Sequence, residues 1–131
     1  MRLDNPVGSL LLLWPTLTAL FMAADAPPQI VLVIVFTVGT FLMRSAGCVI
    51  NDYTDRHVDG AVERTKNRPL VTGEISPKQA LLLFACLVLA AGLTLLFLNQ
   101  ETQLLAIGGL LIATLYPLMK RWTHLPQAFL G

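Results

Sequence analysis

The run from Arg44 to Gly60, RSAGCVINDYTDRHVDG, places an asparagine, three aspartates and two arginines at the end of an apolar stretch. On a helix of 3.6 residues per turn, Arg44, Asn51, Asp55 and Asp59 fall within an arc of about 80°, and Asp52 and Arg56 border it. Carboxylates four residues apart repel each other, and burial beside a membrane raises that cost, so the stripe calls for a compensating cation. Its donors are oxygens, which suit a hard divalent ion. Magnesium keeps several waters and takes one or two carboxylates together with substrate phosphates. No His or Cys stands at the spacing of a zinc site. His57 lies about 120° from Asn51 and about 160° from Asp59 on the same wheel, which makes it a solvated loop residue rather than a ligand. The alternative is that the acids only solvate a loop and cap a helix; ionisable clusters in or beside a membrane favour a functional role.

The elements that must carry this stripe are apolar helices. Of the 131 residues, 55% are hydrophobic and 13% charged, with a mean hydropathy of +0.68; a soluble domain carries about 25% charged residues. Nine Lys+Arg against eight Asp+Glu leave a net charge of +1, without the clustered excess that nucleic-acid binding needs. Cys48 and Cys86 both lie inside apolar runs and make no disulfide framework. Four runs approach the length of a membrane crossing, which predicts helices over about 8–24, 30–50, 77–98 and 104–119, a hydrophilic motif loop over 51–76, and a fifth helix interrupted at Gly131. The fold class expected is an all-α membrane protein.

Local signals refine this outline. Ser76, Pro77 and Gln79 form a capping box with proline in the first helical position. Pro15 and Pro117 fall inside apolar runs, where each should kink its helix or free a carbonyl. Gly108 and Gly109 permit close approach of another helix. Arg2 precedes the first helix, and Arg44, Arg56, Arg64, Lys66, Arg68 and Lys78 lie between the middles of the second and third. Lys120 and Arg121 follow the fourth, and the two remaining connections hold no Lys or Arg. Short basic loops stay cytoplasmic, so both termini and the motif loop are expected inside. Ala24-Asp25-Ala26 has the form of a signal-peptidase site, but Arg2 beside Asp4 is a weak positive end and Trp14-Pro15 interrupts the apolar run. The uncleaved reading is preferred.

The motif N-D-x-x-D-x-x-x-D at Asn51–Asp59 resembles the first aspartate-rich motif of the UbiA superfamily of intramembrane prenyltransferases. LLLLWPTL (Leu10 to Leu17), MRSAGCVINDYTDRHVDG (Met43 to Gly60), RTKNRPL (Arg64 to Leu70) and YPLMKRWTHLPQ (Tyr116 to Gln127) resemble the branch of that superfamily acting on 4-hydroxybenzoate in ubiquinone synthesis. The resemblance implies transfer of a polyprenyl group from its diphosphate to the ring carbon beside the phenol. It implies Mg2+ held by Asn51, Asp55 and Asp59 with Asp52 in support, in the inner membrane of a bacterium. Asp55, Asp59, Arg56 and Arg121 are the implied catalytic residues. Arg44, Arg68, Tyr116 and Lys120 would meet substrate, Arg68 being the candidate for the benzoate carboxylate and Arg44 able either to pair with Asp55 or to contact substrate. RTKNRPL would cap the site.

The superfamily also carries a second aspartate-rich motif in its later half. After Asp59 the only acids here are Glu63, Glu74 and Glu101, so the chain is expected to correspond to the N-terminal part of such a protein and to require a C-terminal half for activity. The partners implied are polyprenyl diphosphate, 4-hydroxybenzoate and the bilayer, with no nucleic acid. Two other readings stay open. One is a non-catalytic helical membrane protein that binds a lipid diphosphate or a partner subunit; the other is a UbiA-type enzyme for another acceptor, such as a naphthoate or haem.

Overall fold

A computed structural model describes residues 7–59 and 68–122, with side chains at 7–56 and 68–115. These residues form five helices, α1 Val7–Ala23, α2 Ile30–Asp59, α3 Pro69–Thr72, α4 Pro77–Leu95 and α5 Gln100–Trp122. Among the described residues there is no strand. α2 and α4 are long and apolar enough to cross a membrane, and α1 is a shorter apolar helix of 17 residues.

α2 is the central element. It packs most extensively against α4, then against α1, and more lightly against α5 and α3. The seam with α4 is built from Leu42, Ala46, Val49 and Tyr53 on α2 and from Ala80, Phe84 and Leu87 on α4. The α2 positions are spaced i, i+4, i+7, i+11, the repeat that keeps one narrow face toward a partner along several turns. Ala46 and Ala80 are 1% and 2% exposed; small side chains at such a seam let two backbones approach, the principal source of attraction where lipid competes for apolar contact. Elsewhere the apolar side chains point outward, as at Leu11, Leu89 and Leu105.

The ends of the helices follow local chemistry. At the start of α4, Ser76 Oγ accepts from the Gln79 backbone N–H at 3.3 Å, and the Ser76 N–H donates to Gln79 Oε1 at 2.9 Å. Ser76→Ala should therefore lower stability by about 1 kcal/mol, measured by denaturation in detergent; Lys78→Ala, at an exposed position in the same turn, should be close to neutral. α3 ends at Gly73, whose φ of 81° is the left-handed conformation that glycine adopts without steric cost, and Ile75 N–H closes back on Pro69 C=O at 3.1 Å.

The observed bounds differ from those expected at several helix ends. α2 does not stop at residue 50 but continues to Asp59, so the first third of the expected motif loop is helix, and α3 interrupts the rest. α4 ends at Leu95, and residues 96–98 close in tighter i→i−3 turns. α5 begins at Gln100 instead of 104 because Asn99 Oδ1 accepts from the Thr102 N–H at 3.0 Å, an N-cap placed before the apolar run. Gln103 Nε2 then donates to Leu95 and Leu98 C=O at 3.0 and 2.9 Å, satisfying the Leu98 carbonyl and adding a second bond at Leu95, which already accepts from the Leu98 N–H. α1 runs through Pro15 as one helix.

A groove of about 620 Å³ lies between α2, α4 and α5, lined by apolar and small residues that include Val35, Gly39, Gly92, Ile107 and Gly109. Its α2 residues end at Met43, about 12 Å along the axis from Asn51.

Candidate functional site

Because α2 remains helical to Asp59, Asn51, Asp55 and Asp59 succeed one another on a rigid stripe with about 6 Å of rise between neighbours. The α4-facing seam of Leu42, Ala46, Val49 and Tyr53 centres about 150° away from that stripe. The stripe therefore looks away from α4. Asn51 is exposed, and Asp52 and Asp55 are half-buried. The side chain of Asp59 lies outside the described residues.

Asp52, on the flank of the stripe, is held in an ion pair. Arg68, immediately before α3, donates from Nη1 to Asp52 Oδ1 at 2.8 Å, with side-chain exposures of 20% and 29%. Pro69 in the first turn of α3 fixes how the chain leaves Arg68, and the Gly73 turn then brings it to α4. The pair joins the motif to the segment that leads back into the bundle. A double-mutant cycle on Asp52→Ala and Arg68→Ala, read by denaturation in detergent, should return a coupling of about 0.5–1 kcal/mol. Additive losses would show that the pair contributes nothing.

Arg56 turns back on its own helix. Its Nη1 donates to Tyr53 C=O at 2.6 Å, and the guanidinium stacks 4.3 Å from the centre of the Tyr53 ring. Tyr53 packs against the α2–α4 core, so this contact draws Arg56 toward the seam. The contact adds about 0.5–1 kcal/mol of cation–π attraction.

Arg44 does not pair with Asp55. Eleven residues of helix separate their backbones by about 16 Å, beyond the reach of the two side chains. Asp55 is engaged in another interaction, and the Arg44 guanidinium lies against the backbone of Gly8 on α1. Tyr116, Lys120 and Arg121 belong to the last turns of α5; their side chains, like Arg64 and the rest of 60–67, lie outside the described residues.

Among the described residues no three His, Cys, Asp or Glu side chains gather as a metal-holding group. What the stripe offers is an amide oxygen at Asn51 and carboxylates at Asp55 and Asp59, of which the last is placed by backbone alone. Such donors fit magnesium, which takes few protein carboxylates and completes its shell with water and phosphate oxygens. The contacts of Arg68 and Arg44 were not legible from spacing within one helix, since each depends on a neighbouring element; the Arg56–Tyr53 pair, three residues apart on α2, carries a local signal in its spacing.

A helical membrane bundle with an oxygen-lined stripe at the end of its central helix defines the class, and the profile of the UbiA prenyltransferase family matches residues 12–131. The chain belongs to that family. It is 59% identical over 130 residues to the 4-hydroxybenzoate octaprenyltransferase of Marinomonas sp. (strain MWYL1), covering 99% of this chain and 46% of that protein. It is 58% identical over 131 residues to the protein of the same name from Vibrio cholerae serotype O1 (strain M66-2), covering 100% and 46%. Its fold matches the apo structure of a UbiA homolog from Aeropyrum pernix K1 with a TM-score of 0.82 at 30% identity, over 100% of this chain and 46% of that one. The chain thus spans about half the length of the relatives it matches.

Proposed function

We propose that this chain supplies the first half of the catalytic bundle of an enzyme that transfers a polyprenyl group from its diphosphate to 4-hydroxybenzoate, a step of ubiquinone synthesis. The observation that carries the reading is the continuation of α2 through Asp59, which keeps Asn51, Asp55 and Asp59 on one face of the helix. Identities of 58–59% to 4-hydroxybenzoate octaprenyltransferases over essentially the whole chain support the choice of acceptor.

In this reading Asn51, Asp55 and Asp59 hold Mg2+, which when bound neutralises charge on the departing diphosphate. The bond between the prenyl C1 and the diphosphate oxygen breaks, the ring carbon beside the phenol takes the allylic carbon, and the ring proton leaves. Arg44, with its guanidinium on the side of α2 that bears the stripe, donates to an anionic substrate group. Asp52 acts at one remove, through the ion pair that keeps Arg68 at the site. Arg56, Arg121, Lys120 and Tyr116 complete the positive surroundings of the two substrates. Apolar helices exclude water from the carbocation. The one-sided distribution of the nine basic residues supports both termini and the motif on the cytoplasmic side of a bacterial inner membrane.

The test is a fusion of residues 1–131 to the remaining part of the Vibrio cholerae relative, assayed in membranes with labelled 4-hydroxybenzoate, polyprenyl diphosphate and Mg2+. The fusion should form prenylated product only with the metal present, and the chain alone should form none. A fusion that inserts normally yet forms no product, beside an active parent, would overturn the reading and favour a non-catalytic membrane protein.

A further inference from the structure

We propose that Gly8 is a positioning residue: its bare backbone on α1 is the seat that holds the Arg44 guanidinium on the stripe-bearing side of α2. The functional half of this inference rests on the reading of the site given above; the structural half does not.

Three arginines have described side chains. Arg68 is committed to Asp52 and Arg56 to Tyr53. Arg44 is half-buried, and among the described residues its guanidinium has no hydrogen bond or ion pair. It shares the stripe's arc, about 10 Å before Asn51 along the axis. Of these three cations it is the one left with its donors to give to a substrate anion.

Gly8 fixes where that cation lies. A Cβ built on Gly8 would overlap the Arg44 guanidinium, with Nε 3.1 Å away. No other described glycine stands in this relation. A Cβ on Gly39 would meet Thr94 Oγ1 at an ordinary 3.7 Å, and Gly47, Gly92, Gly108 and Gly109 face open space. Attraction does not account for the contact, since the first turn of a helix is positively polarised and a guanidinium has donors only. Steric room accounts for it. The atoms in the way are the far end of a flexible side chain, so an added methyl moves the guanidinium and leaves the backbone in place. Gly8→Ala thereby separates the position of Arg44 from its presence.

Two measurements test this. In the chain as expressed in membranes, labelling of each arginine by phenylglyoxal is followed by mass spectrometry. Gly8→Ala should raise the rate at Arg44 severalfold, leave Arg56 and Arg68 unchanged, and preserve helix content and melting. An unchanged rate at Arg44 overturns the seat. In the fusion, Gly8→Ala and Arg44→Ala should each raise KM for one anionic substrate by about tenfold with a smaller change in kcat, the value of one hydrogen bond to a charged group. The double variant should be no worse than Arg44→Ala. Varying 4-hydroxybenzoate and polyprenyl diphosphate in turn shows whether the anion is a carboxylate or a diphosphate. A raised KM in Arg44→Ala with a normal one in Gly8→Ala overturns the proposal and leaves the proposed function standing. A fusion without activity overturns the function reading, and labelling still decides the seat.

Discussion

Replacing Asp55 by alanine in the fusion is expected to lower turnover by at least about a thousandfold, because metal neutralisation of a departing diphosphate is worth several kcal/mol. Asp55 is the middle member of the stripe, one turn from Asn51 and one from Asp59, so a cation held by either neighbour would also use it. The stripe faces away from the α2–α4 seam, and the loss should therefore appear in turnover with insertion unchanged and with only the small change in melting that losing Asp55's own contact brings. Asp55→Asn keeps an oxygen donor without the charge. It should fall between the two and recover part of its rate at raised Mg2+, which a purely structural aspartate would not do. Near-normal turnover in Asp55→Ala would remove the stripe from the chemistry.

The second large effect is structural. Ala46→Leu adds three carbons at a position 1% exposed, in a seam whose opposite wall includes Ala80 at 2%. Overpacking of this kind costs about 1–3 kcal/mol. Here the damage should propagate, because pushing the start of α4 away from α2 also moves α3 and the Arg68 that grips Asp52. We expect lower stability in detergent together with loss of the Asp52–Arg68 coupling. Ala85→Leu, on the exposed side of α4, should leave both intact. Equal stability of the two variants would mean that the seam is looser than its burial indicates.

These two sites differ in how far the sequence revealed them. The stripe was visible because i, i+4, i+8 spacing is a property of one helix, and the capping box at Ser76 because its partners are three residues apart. α2 runs beyond residue 50, where the apolar run ends, because polarity does not stop a helix. α5 starts before its apolar run for a related reason, since the Asn99 cap is polar. The α2–α4 seam had no signature to find: in helices apolar on all sides the buried face does not stand out from the face turned to lipid. The partner of Arg68 shares this limit, because it is reached across a connection whose course no local rule specifies. Arg56 and Tyr53 do not, being three residues apart on one helix.

The brevity of α1 has a consequence for the bilayer itself. Its 17 residues rise about 25 Å, whereas the apolar part of α2, from Ile30 to Ile50, rises about 31 Å, close to the thickness of a hydrocarbon layer. A bilayer meets a short span by thinning around it or by letting long basic side chains reach outward, and Arg44, whose guanidinium lies against Gly8 on this short helix, is a side chain of that kind. On the proposed reading, a charge that the sequence places nearly two turns inside an apolar stretch would in this way meet the polar head of an amphiphile whose tail stays in the lipid.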